Sequence, residues 1–157
     1  STLFPYTTLF RSGSWCACAA PSAANRRPGR FVVIRDRGNL DALAEAHPYG
    51  KMLFQAPLAL AVCGAVLHDG RENPWWEQDC AAAMQNILLA AEGLGLNSVW
   101  LGVSHGRDGL PEKIEALLDI PQGVRVLGIA VVGYGAEVKP PHRGVDEGVV
   151  YLERWSD

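Results

Sequence analysis

The chain has 157 residues, the length of one domain and enough to bury most of the apolar surface that its unfolded form exposes. Hydrophobic residues make up 48% of it, charged residues 20%, and the formal net charge is −3, which argues against disorder and against bulk attraction to nucleic acid, so any anion site must be local. No apolar run approaches the roughly 20 residues that span a bilayer, and Cys16, Cys18, Cys63 and Cys80 lack the paired spacing of a zinc site, so a soluble, metal-free protein of the reducing cytoplasm is expected.

At the start of the chain, residues 2–12 look like the in-frame translation of a sequencing-library adapter, and Pro5 and Arg11 interrupt the apolar core that a secretory signal would need. Residues 1–19 are accordingly expected to be a non-native leader and 20–157 the domain. Phe31-Val32-Val33-Ile34 after a Pro-Gly turn predicts a buried strand. Asn39 is placed to cap a helix carrying Leu40, Leu43, Ala44 and Ala46, and Pro48 to start a helical turn with Met52, Leu53 and Phe54. Leu58 to Cys63, bounded by Pro57 and Gly64, predicts a second buried strand. The longest helix is expected from Pro74 to Gly93, with Asn73 as its cap and Ala83, Met84, Ile87, Leu88 and Ala91 on its apolar face. A strand at 98–103, a helix at 111–118, a strand at 124–132 and a short terminal strand at 149–152 follow. Strands and helices are interspersed without repeats, which predicts a two- or three-layer α/β or α+β sandwich.

Two stretches put cationic or amide side chains on proline-stiffened segments beside predicted strands: Pro21 to Arg30, with Asn25, Arg26, Arg27 and Arg30, and Lys139-Pro140-Pro141-His142-Arg143. Alone, the first reads equally well as a solvated turn, and the second reads more readily as an exposed loop. Together they could hold a polyanion from both ends of the chain, most economically a phosphorylated cofactor. No G-x-G-x-x-G follows a strand and no Walker lysine is present, so neither a dinucleotide fold nor a nucleotide hydrolase is supported. Trp75 and Trp76 point about 100° apart on a helix, so one is expected in the core and the other at an interface or at the mouth of a substrate pocket. His47, His68, His105 and His142 fall into no triad or metal spacing and are expected to be surface or loop histidines, leaving no catalytic side chain.

The order and spacing of several segments resemble the FMN-dependent nitroreductase family. They are Pro21-Ser22-Ala23-Ala24-Asn25-x-x-Pro28, the strand Phe31-Val32-Val33, Ala46-His47-Pro48-Tyr49-x-Lys51-Met52-Leu53, the helix from Trp76-x-Gln78-Asp79-Cys80 to Ala90-Ala91, Gly95-Leu96-x-x-Val99-Trp100-x-Gly102, and Gly133-Tyr134 leading to Lys139-Pro140-Pro141. The resemblance implies an α+β fold, a mixed sheet flanked by helices in an α-β-α sandwich. It also implies a homodimer that exchanges terminal segments and binds FMN at the subunit interface. By the same resemblance Pro21, Ser22 and Asn25 line the flavin, Trp100, Leu101 and Gly102 offer main-chain contacts beside its ring, and Lys139 and Arg143 bind its phosphate. The flavin would take a hydride from NADH or NADPH and pass electrons to a nitro compound, quinone or similar small acceptor. Two departures stand out: the family's Arg-Arg-Ser-x-Arg helix has no counterpart here, and Arg27 and Gly29 replace the Gln and Trp of an Asn-x-Gln-Pro-Trp loop. A non-catalytic flavin-binding or storage module and an inactive truncated fragment are the rival expectations.

Overall fold

A computed structural model describes residues 16–106, 109–141, 144 and 148–155. Its centre is β2 (Leu58–Ala65), whose apolar residues do not alternate with polar ones because both of its faces are buried. Leu58, Leu60 and Val62 pack with Met84, Ile87 and Ala91 of the long helix α2 (Trp76–Gly93). Ala59, Ala61 and Cys63 turn the other way, toward Leu40 and Leu43 of α1 (Arg37–Ala46) and Ile114 of α3 (Leu110–Leu117). The result is the expected three-layer α+β sandwich.

On one side β2 pairs with β1 (Gly29–Ile34) and on the other with β6 (Val124–Gly133), which in turn pairs with β5 (Asn97–Gly102), giving the sheet order β1-β2-β6-β5. All three pairings are antiparallel, so among the described residues the sheet is antiparallel where the resemblance implies a mixed one. The reason is that each excursion joining sheet neighbours returns to the end it left: Ile34 pairs with Ala59 across α1, and Gly102 pairs with Gly128 across α3. A bulge shifts the β2–β6 register, Val62 facing Gly128 and Cys63 facing Val126, which inserts Leu127 on β6. The extra residue switches parity, and Val126 thereby shares a core with Ile129 and Val131.

Several boundaries differ from expectation. The α1 cap falls on Asp36, whose Oδ1 accepts the Asn39 N–H at 3.0 Å, because a side chain one residue ahead of the first helical turn reaches that donor and Asn39 lies inside the turn. The turn expected from Pro48 is a 3₁₀ segment, Lys51–Phe54, stapled to α1 by the Arg37 guanidinium, which donates to Asp41 Oδ1 and to the carbonyls of Leu53 and Ala56. α2 begins at Trp76, and the buried Asn73 accepts the Trp75 N–H at 3.4 Å ahead of it. A hairpin, β3 (Leu67–His68) and β4 (Arg71–Glu72), turns through Asp69-Gly70 with both φ positive (50° and 73°), a primed turn that those two residues favour. Residues 149–152 form no strand, with bends at 149 and 152, and Tyr151 stacks on Trp155 at 4.2 Å. At the other end, residues 16–19 of the expected leader lie against α2: Ala17 is buried and Asn86 Nδ2 donates to the Cys16 carbonyl at 2.8 Å. No described helix is long and apolar enough to cross a membrane.

Candidate functional site

The loop leading into β1 is strained and tightly held. Ala24, Asn25 and Arg27 all have positive φ (49°, 55° and 50°), a region that costs a residue with a Cβ about 1–2 kcal/mol. Side chains compensate for that cost. Asp79 Oδ1, in the first turn of α2, accepts the Ala23 N–H at 2.9 Å; Ser22 Oγ accepts the Arg27 N–H at 3.0 Å; Arg27 Nε donates to Asn25 Oδ1 at 2.9 Å. Arg30 turns its guanidinium back onto the carbonyls of Arg27, Pro28 and Gly29, and Arg26 Nη1 donates to Asn73 Oδ1 at 3.3 Å. Of the arginines that read as a possible anion cluster, Arg27 and Arg30 thus each turn one guanidinium nitrogen onto the loop itself, and Arg26 turns one onto Asn73. The loop forms one wall of an open cleft of about 270 Å³ whose lining includes Pro21, Ser22, Pro28, Phe31, Asp79 and Ala83.

β5 forms the opposite edge of the sheet. Trp100 and Gly102 are exposed on it, while Leu101 is buried in the core. The Trp100 indole lies over Gly128 of β6, where an added Cβ would stand 2.5 Å from Nε1; a Cβ on Gly102 would meet nothing within 4 Å. The strand therefore presents main chain and one aromatic face to open space. Its last carbonyl, that of Gly102, accepts from His47 Nε2 at 2.9 Å. Of the expected surface or loop positions, His47 takes a loop position directly after α1, but it is 4% exposed and its ring turns inward to partners that satisfy it.

Trp75 and Trp76 diverge as expected. Trp76 covers Gly64 and meets His105 edge to face at 5.4 Å, and His105 Nε2 bonds the Val126 carbonyl at 2.8 Å. Trp75 is 47% exposed. Lys139 is exposed, its Nζ 3.6 Å from Glu137 Oε2, and Arg143 lies outside the described residues. Two thiols, Cys63 and Cys80, are buried, and burial pushes each up to about 12.

One chain does not bring the expected site residues together. Pro21 and Ser22 line the cleft, but Asn25, Trp75, Trp76, Trp100, Leu101, Gly102 and Lys139 do not. β1 and β5 stand at opposite edges of a four-stranded sheet, about 14 Å apart at ordinary strand spacing. The segment carrying Lys139 leaves β6 after Gly133, whereas β1 starts level with Arg125, near the other end of β6. Asp79 and His47 lie in segments that carry the family resemblance, but neither Asp79 as the loop's tether, nor Gly128 as the floor under Trp100, nor the role of the His47 ring was assigned from sequence patterns.

These features define an α+β sandwich with an open cleft beside one sheet edge and an exposed edge strand at the other. The chain belongs to the nitroreductase family, whose family model matches residues 41–134. A protein of Methanothermobacter thermautotrophicus provisionally named NADH dehydrogenase/NAD(P)H nitroreductase is 40% identical over 139 residues, 88% of this chain and 72% of the relative. Among solved structures, an FMN-dependent nitroreductase of Clostridium difficile R20291 superposes with a TM-score of 0.84 at 27% identity, covering 94% of this chain and 88% of that one. A provisionally named nitroreductase of Desulfovibrio desulfuricans in complex with FMN gives a TM-score of 0.75 at 27% identity, covering 95% and 86%.

Proposed function

We propose that the protein is an FMN-dependent NAD(P)H oxidoreductase that works as a homodimer. The observation that carries this reading is the open space beside Gly102 on an edge strand, in a chain whose relatives bear the names FMN-dependent nitroreductase and NAD(P)H nitroreductase. The donor set suits a flavin: an unpaired strand edge offers N–H and C=O groups in alternation, which matches the mixed donor and acceptor edge of the ring system. When bound, FMN supplies the redox chemistry, accepting a hydride from NADH or NADPH and releasing electrons to a nitro compound, quinone or similar small acceptor.

The chain's own residues bind and orient. Main chain from Trp100 to Gly102 lies beside the ring, Pro21, Ser22 and Asn25 form a second wall, and Lys139 and Arg143 neutralise the phosphate. Trp75, the exposed member of its pair, borders the acceptor pocket with Trp76 behind it. A second copy completes the site, because the two walls stand on opposite sheet edges of one chain; exposed Val149, Val150, Leu152 and Trp155 supply apolar surface for such an interface. A reducing cytoplasm suits the free thiols Cys63 and Cys80.

The test is the absorption spectrum of the purified protein after incubation with FMN, followed by anaerobic addition of NADPH or NADH. Retained flavin bands that bleach are expected. Bands that persist would leave a storage module, and a colourless protein would overturn the flavin assignment.

A further inference from the structure

His47 sits where the helical layer meets the end of the edge strand. Its Nδ1 accepts the Tyr49 N–H at 3.2 Å, so that nitrogen bears no proton, and Nε2 carries the proton and donates to the Gly102 carbonyl at 2.9 Å. Both ring nitrogens are thus committed, and the hydrogen bonds select a single tautomer. The peptide plane between Gly102 and Val103 is pinned at both ends, since the Val103 N–H donates to Leu127, the bulge residue, at 3.2 Å. Packing of α1 on the sheet does not require this bond, for Leu40, Leu43 and Ala44 already supply it. What the bond does fix is a glycine with no side chain to hold it, facing open space at the end of an edge strand, where backbone freedom is greatest.

We propose that His47 is a positioning residue, which holds Gly102 in the one main-chain orientation that meets the flavin ring. The inference rests on the reading that FMN lies along β5. Preorganised main-chain groups stabilise charge that develops on a bound group without reorganising during the reaction, so loosening Gly102 slows hydride transfer even in a folded, loaded protein.

Two variants separate this role from simple packing. Gln at position 47 can place an N–H where Nε2 stands, whereas Asn can replace only the acceptor at Nδ1. The assay is anaerobic stopped-flow reduction of the bound flavin by NADPH, with the flavin midpoint potential and melting temperature measured in parallel. His47→Asn is expected to reduce about tenfold more slowly, the factor one ordinary hydrogen bond represents, with a shifted potential, while His47→Gln stays within about twofold of wild type. Equal behaviour of the two folded variants overturns the proposal. Should His47→Asn fail to fold, ¹⁵N NMR of the wild-type protein decides: the protonated Nε2 resonance of His47 must shift on FMN titration, and an unmoved resonance overturns the role. A wild-type protein that takes up no FMN sinks the flavin reading and this inference together; normal FMN binding without a His47 response sinks this inference alone.

Discussion

Gly128 and Gly102 face each other across β6 and β5, yet they should fail in opposite ways when replaced by alanine. At Gly128 a Cβ would stand 2.7 Å from the Leu101 carbonyl oxygen and 2.5 Å from Trp100 Nε1, against the 3.4 Å at which ordinary contact begins. The indole is 37% exposed and can swing outward, but the carbonyl belongs to the β5–β6 ladder and can yield only if the strands separate by several tenths of an ångström. Overpacking of this kind costs about 1–3 kcal/mol. At about 2 kcal/mol, a domain of this size should melt roughly 4–8 °C lower. Gly102→Ala meets nothing and leaves stability within about 1 kcal/mol of wild type, but its methyl enters the space assigned to the flavin and should lower FMN affinity at least about tenfold. Thermal melting of the FMN-free proteins and fluorescence titration with FMN read the two effects separately. If Gly102→Ala binds FMN as wild type does, the ring does not lie along β5; if Gly128→Ala melts like wild type, the close packing of β5 on β6 is wrong.

Asp79→Ala removes the tether of the Ala23 N–H and lets the strained loop relax, so FMN affinity should fall several-fold while the melting temperature changes little; a large drop in melting temperature with unchanged binding would make Asp79 purely structural. Lys139→Ala and Arg143→Ala should each weaken FMN binding about ten- to a hundredfold by titration, and unchanged affinity in both would remove the phosphate assignment. Cys16 and Cys18 are exposed and should react with a thiol reagent in the native protein near pH 8, with Cys63 and Cys80 reacting only after unfolding; four fast thiols in the native state would contradict the burial. The buried pair has a folded pKa of about 12 against an ordinary 9.0. The unfolded chain therefore loses these protons first, and their contribution to stability, full below about pH 9, declines as the pH rises toward 12. Denaturant titrations across that window should show a shallower decline in Cys63→Ala, and an unchanged slope would count against the thiol.

Much of the fold is legible in residue patterns. β2 and α2 carry unambiguous signals, an apolar run bounded by Pro57 and Gly64 and a stripe with helical spacing, because each buries surface that nothing else can bury. Local competitions were less legible. Asp36 and Asn39 can both cap, and only the direction of the chain leaving β1 decides between them. Asp69-Gly70 is a hairpin signal, but its flanks are two residues long and exposed, too short for an alternation to be seen. The proline-stiffened loop is visible in the sequence, yet Arg30 bonds inward to the carbonyls of Arg27, Pro28 and Gly29 in a loop with three left-handed residues, and composition does not reveal that path. His47 was hidden for a different reason: its partner Gly102 lies 55 residues away, and no spacing rule spans that distance.

The central pairing of β2 with β6 also governs how the chain can be made. β2 is apolar on both faces, and its hydrogen-bonding partner on one side is β6, which starts only at Val124, roughly 60 residues after β2 ends at Ala65. Translation at about 5–20 residues per second leaves an interval of about 3–12 s in which β2 has left the ribosome with one edge and much of both faces uncovered. α2 can shield one face during that wait, since it follows directly in sequence, and β1 can occupy the other edge. The remaining edge stays open to any passing strand until the last quarter of the chain emerges, so the yield of folded protein should depend on synthesis rate and on chaperones that hold β2 apart from its own kind.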